Sequence, residues 1–76
     1  MFKALDTVVL KRDVSDAGLR DGDLGAIVEI LDPGHFEVEF VAASGRTQAL
    51  VTLSSDDIRH VNDSDLIAVR SLQPVG

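Results

Sequence analysis

Alternation of apolar and polar residues dominates this chain. His35-Phe36-Glu37-Val38-Glu39-Phe40-Val41 puts Phe36, Val38 and Phe40 on one face and Glu37 and Glu39 on the other. That is the period-two pattern of a half-buried strand. Upstream, Gly25-Ala26-Ile27-Val28-Glu29-Ile30-Leu31 is rich in β-branched residues and reads as a strand with Ala26, Val28 and Ile30 facing inward. Asp32-Pro33-Gly34 between them is a turn signal, because proline presets φ and glycine accepts positive φ. Pairing Ile30 with Phe36, Val28 with Val38 and Ala26 with Phe40 keeps all six apolar residues on one face, and a one-residue slip would expose them. The same register opposes Glu29 to Glu37, a like-charge pair that costs about a few tenths of a kcal/mol.

Thr7-Val8-Val9-Leu10 reads as a first strand. A polar segment from Lys11 to Asp23 follows, too punctuated for a core element, in which Ser15-Asp16-Ala17-Gly18 forms one helical turn ending on a glycine cap. Ala43-Ser44-Gly45 is a turn with Gly45 left-handed. Arg46 to Leu53 is the next strand, with Thr47, Ala49, Val51 and Leu53 inward and Leu50 breaking the alternation. Ser54-Ser55-Asp56-Asp57 caps one short helical turn, and Ile58 to Val61 is the last strand. No segment shows a dozen residues of helical periodicity, which excludes helix-first and parallel-sheet folds. The order predicts an all-β fold, a five-stranded SH3-like barrel over residues 1–61 with a short helical turn before its last strand. Residues 62–76 form a loosely held C-terminal tail. Leu66-Ile67-Ala68-Val69 within it suits an extra edge strand or a short helical turn equally, and Gln73-Pro74-Val75-Gly76 reads as frayed.

Composition narrows the function classes. The chain has 76 residues, 45% of them hydrophobic, room for one thin-cored domain. With no cysteine, a disulfide scaffold, a thiolate metal site and a cysteine nucleophile are all excluded. Absent staples in so small a domain point to a cytoplasmic setting. The start of the chain has no apolar signal region, and the longest apolar run falls far short of the roughly 20 residues that span a bilayer. Net charge is −6 and the isoelectric point about 4.5. That balance disfavours nucleic acid and anionic membrane, whose affinity comes from clustered Lys and Arg. It suits a basic partner, or serves solubility alone.

Chemistry-bearing constellations are few. Nothing in the spacing couples His35 or His60 to a serine, so each reads as a surface histidine. Asp21-Gly22-Asp23 and Asp63-Ser64-Asp65 look like fragments of a calcium loop but lack its glycine and closing glutamate. No metal, cofactor or catalytic residue is predicted. Without Trp or Tyr, the aromatic groove that grips polyproline cannot be built. Lys11, Arg12 and Arg20 lie at the long loop, where Asp13, Asp16, Asp21 and Asp23 largely neutralise them, and two of the three Phe belong to the core face, leaving little for base stacking.

Gly22-Asp23-Leu24-Gly25-Ala26-Ile27-Val28 resembles the Gly-Asp-x-Gly-x-Val approach to the second strand of SH3-like domains of the KOW type, in which the chain bends sharply at its glycines. A wider pattern runs from Leu5–Leu10 through Gly18-Leu19, Gly22–Gly25, Phe36–Val41 and Gly45-Arg46-Thr47 to Leu50–Leu53. It is similar to a family of small bacterial proteins catalogued as a domain of unknown function. That resemblance covers about residues 2–61. It implies a bacterial origin and the same fold. Members are often encoded beside other small proteins, some of them candidate toxins, which hints at a partner-binding or immunity role, and no catalytic residue carries over.

The reading that follows is a non-enzymatic protein-binding module whose partner is another protein, encoded nearby. Its expected partner-binding residues are Asp13, Asp16, Asp21 and Asp23 on the long loop and Glu29, Glu37 and Glu39 on the outer strand face. The alternatives are a KOW-like RNA-binding domain, a homo-oligomeric structural module built through exposed strand edges, and a subunit that completes an enzyme's site.

Overall fold

The computed structural model describes residues 1–72; the expected fraying of 73–76 lies outside the described residues. Five strands form one antiparallel sheet: β1 (Thr7–Leu10), β2 (Leu24–Asp32), β3 (His35–Val41), β4 (Thr47–Ser54) and β5 (Ile58–His60). Their order across the sheet is β4-β3-β2-β1-β5, so β4 and β5 are its edges and the sheet is open. Three consecutive antiparallel neighbours follow from the short β2–β3 and β3–β4 connections. The last strand returns beside the first, with Val8 opposite His60 and Leu10 opposite Ile58.

The core is a single cluster. Val8 and Leu10 from β1, Leu19 from the long loop, Ile27, Phe36, Val38, Phe40, Leu53 and Ile58 are all buried, and Phe2, Val14, Ala17, Ala49 and Val51 pack on its rim. Phe2 meets Phe36 edge-on with ring centroids 5.4 Å apart. No polar side chain is buried among the described residues, so the cluster has no desolvated charge to offset.

Both strands with the plainest patterns lie where the sequence puts them, β1 at Thr7–Leu10 and β3 at His35–Val41. The inward face of β2 does not. Ile27, not Val28, is fully buried opposite Val38, and Ala26 pairs with Glu39 rather than Phe40. The cause lies at Gly25, which is itself buried. A Cβ there would stand 2.8 Å from Phe40 Cε2 and Val38 Cγ1 and 3.0 Å from the Glu39 carbonyl. Residue 25 therefore faces inward as glycine, not as a bend, and parity carries Ile27 in with it. A bulge between Ile27 and Glu29 then leaves Val28 unpaired. Beyond it Glu29 opposes Glu37 and Ile30 opposes Phe36 in the expected register, and a second irregularity follows before Asp32.

On β4, Ala49, Val51 and Leu53 face the core as expected, opposite Phe40, Val38 and Phe36. Thr47 does not face inward: the register shifts between Phe40 and Val41, Gln48 is left out of the pairing, and Thr47 is exposed. Leu50 keeps the alternation, as an exposed apolar residue on the outer face opposite Glu39.

Turns complete the frame. Ser15–Ala17 is a single 3-10 turn, and Gly18 closes it at φ 72° by donating its N–H to the Ser15 carbonyl. Gly45 is left-handed at φ 91°. The helical turn expected before the last strand is instead one hydrogen-bonded turn, in which the Asp57 N–H donates to the Ser54 carbonyl at 3.0 Å. The Asp57 carboxylate accepts from the Ser54 N–H and satisfies that turn without a helix. Residues 61–72 are neither strand nor helix, so neither expectation for Leu66–Val69 holds. Within the described tail, Arg70 bonds to the long loop.

Candidate partner-binding surfaces

The acidic residues divide by what they do. Asp6, Asp23, Asp57 and Asp65 share one local arrangement: each donates its backbone N–H to the carbonyl three residues earlier, at Lys3, Arg20, Ser54 and Asn62. In return each carboxylate accepts the backbone N–H of that same residue, at 2.7–2.9 Å. Aspartate suits the role because its short side chain reaches back to the backbone it has just turned from. Each of the four also receives a side chain from elsewhere. Asp57 takes Arg12 at 2.7 Å, Asp65 takes Arg59 at 2.8 Å, Asp23 takes Arg70 at 2.6 Å, and Asp6 takes His60 at 3.2 Å.

These contacts hold the carboxyls below their ordinary range. The Arg59 guanidinium, then the Asn62 N–H, bring Asp65 down to about 2. Asp57 is lowered chiefly by Arg12, and Asp6 chiefly by the Lys3 N–H. At Asp23 burial pushes upward, but the bonds from Arg70 and the Arg20 N–H together outweigh it and the carboxyl is lowered. Asp32 is lowered by His35, whose ring stands 2.9 Å away in the β2–β3 turn.

This sorts the expected partner-binding residues of the long loop. Asp23 is committed to its turn and to Arg70. Asp13 accepts the Asp21 N–H at 2.9 Å, which closes the loop on itself. Asp16, in the middle of the 3-10 turn, and Asp21 are exposed. Of Lys11, Arg12 and Arg20, expected to be largely neutralised by the loop's own aspartates, Arg12 is paired instead with Asp57.

The three expected strand glutamates do meet on one face. Glu29 and Glu37 are direct cross-strand partners, and Glu39 follows on β3. From β4 the Thr52 hydroxyl donates to Glu37 at 2.5 Å and the Thr47 hydroxyl to Glu39 at 2.6 Å. Each threonine fixes one carboxylate oxygen and leaves the face acidic. Exposed apolar side chains border it, Leu50 opposite Glu39 and Val28 at the bulge.

Elsewhere the chemistry is sparse. Ser54 lies opposite His35 but gives its hydroxyl to Asp57. Among the described residues no three metal-ligating side chains are gathered, and no helix is long and apolar enough to cross a membrane. A groove of about 750 Å³ runs between the sheet end and the tail, with Val9, Leu24 and Phe40 on one side and Ile67, Ala68 and Leu72 on the other. Sequence reasoning passed over this groove and over Arg70. The four apolar residues at 66–69 were the visible signal, but they name no address without the Arg70–Asp23 contact.

No curated protein and no solved structure matches the chain. A family model does, over residues 4–60: all five strands, the long loop and the acidic face, stopping short of the tail. The chain belongs to the family described as Domain of unknown function (DUF4926).

Proposed function

We propose that this chain is a non-enzymatic protein-binding module of a bacterial cytoplasm, an SH3-like barrel that serves as partner or immunity component for the product of a neighbouring gene. The barrel reading draws support from the connectivity: a first strand pairing with both second and last, a long first loop, then a three-stranded meander. The observation that carries the binding reading is the outer sheet face. Glu29, Glu37 and Glu39 converge there beside exposed Leu50, on a chain of net charge −6. An acidic stripe with apolar borders fits a partner that offers Lys or Arg beside apolar side chains; charge then sets encounter and register, and the apolar contacts add affinity.

The test is affinity purification of the tagged protein from its native bacterium at moderate salt, with proteins and RNA both identified, beside the Glu37→Lys/Glu39→Lys double variant. The expected result is one stoichiometric protein that the double variant loses while keeping its circular dichroism and melting temperature. Retention by the double variant rules this face out. RNA in place of protein favours the KOW-like alternative, and a bare protein favours self-association.

A further inference from the structure

Arg70 reaches the long loop from 47 positions away in the chain. Its Nε donates to Asp23 Oδ1 at 2.8 Å, and its Nη2 donates to Asp23 Oδ2 at 2.6 Å and to the Gly18 carbonyl at 3.0 Å. The loop builds this seat without help from the tail. The Arg20 N–H fixes the Asp23 carboxylate, the Leu10 N–H holds the Asp23 carbonyl, and left-handed Gly18 aims its own carbonyl. Two carboxylate oxygens and a carbonyl, set in advance, match the planar fork of a guanidinium and not the point charge of an ammonium.

The tail gains little else from lying there. Leu66 is 92% exposed and Val69 97%. Among the described residues after Asp65, Arg70 supplies every side-chain hydrogen bond to the rest of the fold. A segment held by one partly exposed ion pair is held weakly. It also lies along an apolar groove that it does not fill.

We propose that the Asp23–Gly18 seat is an arginine-recognition site for a partner protein, and that Arg70 is an internal ligand which the partner's arginine displaces. The occupant is an extended partner segment with an arginine preceded by apolar side chains, the chemistry of residues 66–70 themselves. Charge complementarity supports that choice, since the guanidinium already seated shows what the site accepts and the net charge of −6 draws basic segments. The proposal rests on the protein-binding reading but uses a different surface from the acidic face.

The probe is a fluorescein-labelled peptide with the sequence of residues 62–72, titrated against the full-length chain, its Arg70→Ala variant and the Arg70→Ala/Asp23→Asn double variant, with anisotropy as readout. Freed of its internal competitor, Arg70→Ala binds the peptide about two- to six-fold tighter than the unaltered chain, the competition one partly exposed ion pair supplies. The Asp23→Asn change, or alanine for the arginine in the peptide, removes that gain. Equal binding by all three chains, or by the peptide lacking arginine, overturns the proposal. Should Asp23→Asn fail to fold, amide shifts decide: N-acetyl-arginine amide added to Arg70→Ala must move Gly18 and Asp23 where the lysine analogue does not, and equal shifts overturn the seat. Peptide binding without a captured native partner sinks the protein-binding reading alone; a captured partner without peptide binding sinks the seat alone.

Discussion

Gly22 and Gly25 are glycine for different physical reasons, and substitution separates them. Gly22 has φ 96° with nothing within 4 Å of a Cβ, so alanine there meets only the left-handed backbone penalty, about 1–2 kcal/mol. Gly25 has no positive φ; alanine there would push into Phe40, Val38 and the Glu39 carbonyl. Overpacking a core of this kind costs about 1–3 kcal/mol, and the backbone carbonyl cannot give way as a side chain can. Gly25→Ala is therefore expected to lower the urea midpoint at least as much as Gly22→Ala, and to disturb the Phe40 ring resonances, which Gly22→Ala leaves in place. Unshifted Phe40 resonances in Gly25→Ala would refute the packing account. Sequence alone assigned both glycines to a bend, because a close approach between strands leaves no mark beyond the glycine itself. The aspartate turns were hidden differently. Four aspartates close turns three residues back, but with thirteen acids in the chain that spacing does not stand out.

At the level of elements, legibility followed regularity. β3 holds an unbroken period and β1 is a short apolar run with three successive buried residues; both were readable to the residue. β2 was not, because a bulge reverses which parity faces inward and no periodicity argument sees an extra residue. The pairs beyond the bulge, Glu29 with Glu37 and Ile30 with Phe36, were still placed correctly, since they are counted back from the Pro33-Gly34 turn. The tail was illegible because its anchor joins residues 47 apart in the chain. The acidic pair allows a direct check on register. Glu29→Lys replaces a like-charge cross-strand contact by an attractive one, which raises the melting temperature by about 2 °C at low salt. Added salt erases the gain. An unchanged melting temperature would mean that the Thr52–Glu37 bond already removes the repulsion, and a drop that the two strands pair differently.

Over the whole molecule, two electrostatic effects oppose each other as pH falls, and their ranges decide the outcome. The first is self-repulsion at net charge −6, which eases as the pH approaches the isoelectric point near 4.5 and so favours the folded state. The second is linkage. Asp6, Asp23, Asp32, Asp57 and Asp65 all have carboxyls lowered in the fold. A lowered folded value means the unfolded chain binds protons first, at about pH 3.9 for an ordinary aspartate. Their stabilisation is thus complete above roughly pH 5 and drains away as the pH falls through the folded values, the lowest being Asp65 at about 2. Repulsion among exposed charges is long-ranged and screened by salt, whereas the aspartate contacts are short, hydrogen-bonded and mostly shared with an arginine, so they win once they begin to titrate. Thermal melts between pH 7 and 2 are expected to show a melting temperature that is level or rises slightly to about pH 5, then falls steeply below pH 4. With 0.5 M salt the early rise flattens and the acid fall remains. Asp57→Asn keeps a carbonyl for the Ser54 N–H but loses the charge that holds Arg12, so it lowers the plateau and makes the acid limb shallower. A melting temperature that did not fall between pH 5 and pH 3 would show that the lowered aspartates contribute little to stability, and the acidic excess of this chain would then serve solubility rather than the fold.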